Sequence, residues 1–156
     1  MLIVSVLAAM SLEAAADDPA RRYVLIGGDQ SHAVLLDTHS YVPAGGFIGY
    51  SQVSLFASPE DTWRAEPVRA QRNYWIVDCP SQSVQITGFD QLYGTGAVAS
   101  ENQNLRPRPP MARVQKGTVG QTAVTAVCGD GSELDGHEAY PDIPSALEAY
   151  YSTLGG

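Results

Sequence analysis

The sequence predicts an α+β domain with a six-stranded antiparallel β-sheet, one packed α-helix and a short C-terminal helix. Before residue 118, short apolar runs alternate with turns rich in Gly, Asp, Ser and Pro, a pattern typical of strands joined as hairpins. Helical periodicity appears only after that point. A parallel sheet needs crossover helices between its strands, so the antiparallel arrangement is the economical prediction.

The first three strands follow from the spacing of apolar residues. Runs 23–26 and 33–36 flank "GGDQSH", whose Gly, Asp and Ser residues suit a hairpin turn. After "VPAGG", the stretch 47–57 carries apolar side chains on both alternating sets of positions. This long strand is therefore predicted to be partly covered on both faces.

Three further strands complete the predicted sheet. The strand 68–79 places Trp75, Val77 and Cys79 on one face and stops at Pro80. "QSVQITGF" pairs back against it, and "GTGAVAS" forms the last short strand. The Pro-rich segment 101–117 is then predicted to be an extended connector.

Two helices are predicted in the last third of the chain. Thr118 and Gln121 stand at capping-box spacing, and Gly129 suits the residue after the helix end. Apolar residues three and four apart predict the face of this helix that packs on the sheet. The C-terminal helix carries a second stripe and is predicted to dock on its own domain or on a partner. The stripe of the first helix consists of Val124, Val127 and Cys128. That of the C-terminal helix consists of Ile143, Leu147, Tyr150 and Leu154.

The first residues resemble a signal peptide. An apolar stretch too short to span a bilayer precedes "EAAAD", in which Ala14 and Ala16 provide small residues for cleavage after Ala16. A buried N-terminal strand or helix is the alternative. We therefore predict a signal segment 1–16, a domain 17–128, and an acidic connector with the C-terminal helix over 129–156. No Cys stands directly after the apolar stretch, so we predict a periplasmic or secreted protein without a lipid anchor.

Two cysteines in an exported chain favour one disulfide, Cys79–Cys128, which ties the end of a strand to the end of the packed helix. Two buried free thiols are the alternative. A net charge of −8 argues against nucleic-acid binding. We predict no transmembrane segment.

Candidate chemistry is sparse. Asp37 and His39 are two residues apart, so on a strand they would share a face and could begin a metal site or a base. No further ligand spacing accompanies them, and capping of a strand end is the competing interpretation. The acids between residues 130 and 142 do not follow the spacing of a calcium-binding EF-hand loop. The predictions are no catalytic residues, no metal and no cofactor.

The motif order resembles the surface-adhesin protein E family of bacteria. The stretches that carry the resemblance are "YVLIGGDQSHAVLLDTHSY", "YWIVDC", "YGTGAVAS" and "GTVGQTAVTAVC". This resemblance implies an antiparallel sheet with a packed helix and a Cys–Cys link. It also implies adhesion to extracellular-matrix and serum proteins.

We therefore expect an exported, non-catalytic binding module with a protein partner, either an envelope or extracellular protein or a second copy in a homodimer. Aromatic residues of an exposed sheet face are the candidate binding surface: Tyr50, Phe56, Tyr74 and Tyr93. Core or half-buried edge positions for these residues are the competing interpretation. The alternative function is a small periplasmic inhibitor or envelope assembly factor that uses the Pro-rich segment 105–110.

Overall fold

The computed structural model describes residues 18–60 and 64–155, so the predicted signal segment lies outside the described residues. The α-helices and strands are β1 (Tyr23–Gly28), β2 (His32–Ala44), β3 (Phe47–Glu60), β4 (Val68–Asp78), β5 (Ser83–Tyr93), β6 (Val98–Asn102), β7 (Ala112–Arg113), α1 (Val119–Cys128), β8 (Ala139–Tyr140) and α2 (Ile143–Leu154).

The strands form one antiparallel sheet in the order β6-β5-β4-β3-β2-β1-β8, and β7 also pairs with β5. The antiparallel prediction is confirmed, but the described part of the chain contains eight strands instead of six. The additional strands, β7 and β8, have two residues each and lie in segments that were predicted to be connectors. Strands of two residues are too short to show an alternating pattern in the sequence. Pairing with neighbouring strands of the folded sheet holds them in place.

Each helix covers part of one face of the sheet. Alternating side chains of β2 point to opposite faces, so Leu36 packs with the α1 residues while Leu35 packs with the α2 residues. The terminal helix therefore docks on its own domain, which resolves the alternative left open by the sequence. The apolar face expected to be exposed or buried in a dimer is partly covered within the chain.

A disulfide joins Cys79, just after β4, to Cys128 at the end of α1, with a Cα–Cα distance of 5.6 Å. This confirms the predicted pairing. The Thr118 side chain accepts a hydrogen bond from the Gln121 backbone N–H, which confirms the predicted start of α1. Gly129 is not left-handed as a C′ glycine would be; instead a Cβ there would lie 2.8 Å from the Thr125 carbonyl oxygen. A residue with a side chain would therefore not fit at position 129 without a shift of the backbone.

The C-terminal helix begins at the Asp142 cap, whose carboxylate accepts the Ser145 backbone N–H at 2.8 Å. Ile143, Leu147 and Tyr150 are buried, as the predicted stripe requires. Leu154, the fourth residue of that stripe, is 39% exposed because the helix ends there.

Candidate functional site

The four aromatic residues predicted as a binding surface do not form one surface. Tyr50 is only 4% exposed and packs in the core beneath α1, so its assignment to an exposed face is wrong. Tyr74 pairs with Ser51, the neighbour of Tyr50, and so points to the opposite face. Phe56 lies at the far end of β3 opposite His32, and Tyr93 ends β5. For these three half-buried residues, a role in binding stays a prediction.

Helix α2 leaves one end of its sheet face open. A groove of about 350 Å³ lies there, and its lining residues are Ser40, Val42, Ala44, Gly49, Tyr50, Ser51, Tyr74, Trp75, Ile76 and Thr87. We call it the open groove. Val42 is 55% exposed, the highest value among the large apolar side chains that the structure describes. Gly49 leaves room for the Val42 side chain, because a Cβ at position 49 would lie 2.9 Å from the Val42 Cγ2 atom.

A hydrogen-bond network holds Tyr74 rigidly at the wall of the open groove. Its hydroxyl donates to Asp90 Oδ2 at 2.5 Å, and the Gln103 amide donates to both oxygens of the same carboxylate. Burial, together with the hydrogen bond to Asp90, raises the pKa of Tyr74. Asp90 is buried, so this neutral hydroxyl satisfies a carboxylate that solvent cannot reach. The ring is thereby presented as a fixed apolar wall.

Asp37 does not form a base or a metal site with His39. Its buried carboxylate accepts two hydrogen bonds from Arg22, at 3.1 Å each, and one from the His39 backbone N–H. The carboxylate is therefore occupied by structural partners, and His39 is exposed. This agrees with a structural role, but Asp37 and His39 lie within β2 and not at a strand end as the competing interpretation had it.

In the acidic connector, Asp130 and Asp142 accept hydrogen bonds from residues two and three positions further along the chain. Asp130 accepts hydrogen bonds from the Ser132 side chain and backbone N–H, and these lower the pKa of its carboxyl group. Asp142 caps α2 by accepting the Ser145 backbone N–H, which lowers the pKa of Asp142. Across residues 18–60 and 64–155, no three His, Cys, Asp or Glu side chains come together in a geometry that could hold a metal ion.

The Pro-rich segment lies along the outer edge of β5. The Leu105 backbone N–H donates to the Thr87 carbonyl, and the Gln85 side chain donates to the Pro109 carbonyl. These contacts hold residues 105–110 against β5. In the inhibitor hypothesis, this segment would insert into the cleft of a partner. Insertion would require the segment to leave β5, which does not favour the inhibitor hypothesis.

Sequence reasoning missed the residues of the open groove. The sequence predicts a turn at "VPAGG", whereas β2 continues to Ala44, only Gly45 and Gly46 form the turn, and Val42 lies opposite Gly49. A break in the pairing between Asp37 and Val42 conceals this strand from a simple alternating pattern. The exposed apolar residue Val42 between two turn signals was the one available clue.

The fold and site define a small, disulfide-linked α+β domain whose one sheet carries a helix on each face and an open apolar groove. A family model described as surface-adhesin protein E matches residues 23–129. The chain belongs to the surface-adhesin protein E family, as the motif order indicated.

Solved structures of the same fold come from Haemophilus influenzae. Protein E from non-typeable H. influenzae is 15% identical with a TM-score of 0.55, over 83% of this chain and 89% of that one. Crystal form II of H. influenzae protein E is 14% identical with a TM-score of 0.53, over 69% and 87%. Among curated proteins, no sequence match to this chain was found. No helix within the described ranges is long and apolar enough to cross a membrane.

Proposed function

We propose that this protein is an exported, non-catalytic adhesin-type module that binds a protein partner through the open groove. The observation that carries the proposal is the family match over 23–129, a range that includes β1 to β7, α1 and the whole groove. The partner class follows from the family description, surface adhesin.

The groove has the chemistry of a protein-contact surface. Exposed apolar area beside a rigid aromatic ring is a common centre of protein–protein contacts. Two polar groups at the groove already have partners: the Ser51 backbone N–H donates to Ser40 Oγ, and the Ser40 hydroxyl donates to the Asp37 carbonyl. Binding would therefore draw mainly on apolar burial at Val42, Ile76 and Tyr74.

Export is part of the proposal. A disulfide such as Cys79–Cys128 is typical of proteins in oxidising compartments, in agreement with the predicted signal segment. Burial of Asp37 against Arg22 supports the absence of catalysis, because the candidate base is already bound in an ion pair.

The test is binding of the purified protein to immobilised extracellular-matrix and serum proteins, measured by surface plasmon resonance. Val42→Asp places a charge in the groove and should weaken binding by at least about tenfold, since a desolvated charge disfavours an apolar contact. Val98→Asp is the matched control, because Val98 is 43% exposed but lies on β6, away from the groove.

Equal loss of binding in both variants would contradict use of the groove. Failure of the unmodified protein to bind any member of the panel would contradict the adhesin-type function. Circular dichroism of both variants checks that the fold is retained.

A further inference from the structure

Positive charge is concentrated in one segment of this acidic protein. The chain has 9 Lys and Arg residues against 17 Asp and Glu residues. Arg106, Arg108, Arg113 and Lys116 lie within 11 consecutive positions, and no acidic residue occurs between Glu101 and Asp130. We call residues 104–116 the basic strap. Its charge is opposite in sign to that of the protein as a whole.

The basic strap is an ordered part of the fold. Leu105 is hydrogen-bonded to Thr87, Gln85 to Pro109, and the Val114 backbone N–H donates to the Gln82 carbonyl. Gly88 permits the close approach just before the strap, because a Cβ there would lie 2.5 Å from the Gln103 backbone. The strap therefore runs beside β5 from β6 to β7, along the edge of the sheet.

All four cations of the strap are exposed to solvent. Within residues 18–60 and 64–155, none of them forms an ion pair; Arg108 donates a hydrogen bond to the Asn104 side-chain oxygen. Pro107, Pro109 and Pro110 restrict the backbone between the cations and lower the entropy lost on binding. The result is a row of exposed charges on an ordered backbone, with no ion-paired carboxylate among the described residues.

We propose that the basic strap binds a linear sulfated polysaccharide of the glycosaminoglycan type. Guanidinium groups bind oxyanions through paired hydrogen bonds, and three of the four cations are Arg. A row of cations at a sheet edge suits a linear polyanion whose charges repeat along its length. This surface and ligand class are separate from the open groove and its protein partner.

Other polyanions fit the strap less well. It contains no Phe, Tyr or Trp, so it lacks the stacking side chains of single-strand nucleic-acid sites and the aromatic anchors of protein hot spots. A membrane is planar and would also approach acidic residues near the strap, such as Glu101 on β6 and Asp78 at the end of β4. A linear chain can contact the strap alone.

The strap also has a structural interpretation. Lys, Arg and Pro at a sheet edge prevent pairing with other chains, since Pro has no backbone donor and charges resist burial. Protection of the edge predicts that loss of the cations promotes aggregation without affecting any ligand. Binding measurements separate the two roles.

The experiment measures binding of the purified full protein to heparin, with neutral dextran, polyglutamate and vesicles containing phosphatidylglycerol as comparison probes. Heparin should bind, and its affinity should fall about tenfold or more between roughly 50 and 200 mM salt if several ionic contacts form. A variant with Gln at positions 106, 108, 113 and 116 should lose at least about tenfold in affinity. Arg113→Gln should weaken binding more than Arg69→Gln, which removes the same charge outside the strap.

Val42→Asp should leave heparin binding unchanged, which separates this proposal from the groove proposal. Absence of heparin binding, or equal binding by the four-site Gln variant, would overturn the proposal. So would strap-dependent binding of polyglutamate or vesicles without heparin binding, because the ligand class would then be different.

Discussion

Arg22 and Asp37 join the beginning of β1 to β2 through two parallel hydrogen bonds, Nε to Oδ1 and Nη2 to Oδ2, both at 3.1 Å. The Asp37 side chain is 3% exposed, whereas the Arg22 side chain is 41% exposed. The pair therefore has one buried and one solvent-accessible partner. The hydrogen bond to Asp37 raises the pKa of Arg22.

Removing Arg22 should leave a buried carboxylate with too few partners. We expect Arg22→Gln to lower the free energy of unfolding by about 1–3 kcal/mol, measured by urea denaturation. Arg22→Gln/Asp37→Asn should be less destabilised than the sum of its single variants predicts. Additive effects would show that the pair is energetically uncoupled. Arg106→Gln, at an exposed site, is the control.

The disulfide should contribute substantially to stability. Its cysteines are 49 residues apart, and a loop of this size implies about 4 kcal/mol in the chain-entropy model. Cys79→Ala/Cys128→Ala should therefore shift the urea midpoint well below that of the oxidised protein. Thiol titration of the unfolded, unreduced protein should find no free thiol. Two titrating thiols would contradict the bond.

Helix α2 supplies a matched pair of leucines. Leu147 is buried in the cluster on its sheet face, whereas Leu154 is 39% exposed. Leu147→Ala should cost about 2–5 kcal/mol of unfolding free energy through lost burial and a cavity. Leu154→Ala should change it by less than about 0.5 kcal/mol. Equal effects in urea denaturation would mean that α2 is not docked as described.

Deletion of residues 141–156 tests the same docking in another way. Without α2, the apolar side chains beneath it would face solvent, including Leu35 and Val53. We expect increased binding of a hydrophobic dye or self-association of the truncated protein. A soluble monomer without additional dye binding would contradict packing of α2 on this face.

The turn between β1 and β2 should respond to acid through Asp29. Hydrogen bonds from the Ser31 hydroxyl and backbone, and from the His32 backbone, lower its pKa from 3.8 to about 2. Because the pKa of Asp29 is lower in the folded protein, the unfolded state binds more protons between pH 3.8 and about pH 2. This contribution to stability is present above about pH 4 and is lost as the pH falls towards 2.

Comparison with Asp29→Asn isolates that contribution from other carboxyl groups. The stability difference between the unmodified protein and the variant should shrink as the pH is lowered from 4 to 2. A difference that stays constant over this range would contradict the lowered pKa. Thermal unfolding at a series of pH values measures it.

Local patterns were sufficient for the main strands and both helices, and the presence of exactly two cysteines was sufficient for their pairing. Alternation in β3 and the Thr118 capping signal are properties of neighbouring residues, so they could be interpreted without a fold. The candidate site was harder to predict. Tyr50 and Tyr74 are similar as residues, yet Tyr50 is buried beneath α1 while Tyr74 points to the opposite face of the sheet.

The sequence by itself determined that the sheet is antiparallel, that two helices follow it, and that Cys79 and Cys128 pair. Only the tertiary structure decided which face each helix covers, where the sheet stays open, and that the segment after β6 runs along β5. The physical reason is the separation along the chain over which each effect acts. Periodicity and capping depend on residues a few positions apart, whereas burial depends on elements far apart in the chain. Gln103 therefore meets Asp90, and Tyr150 covers the sheet, for reasons that no short stretch of sequence contains.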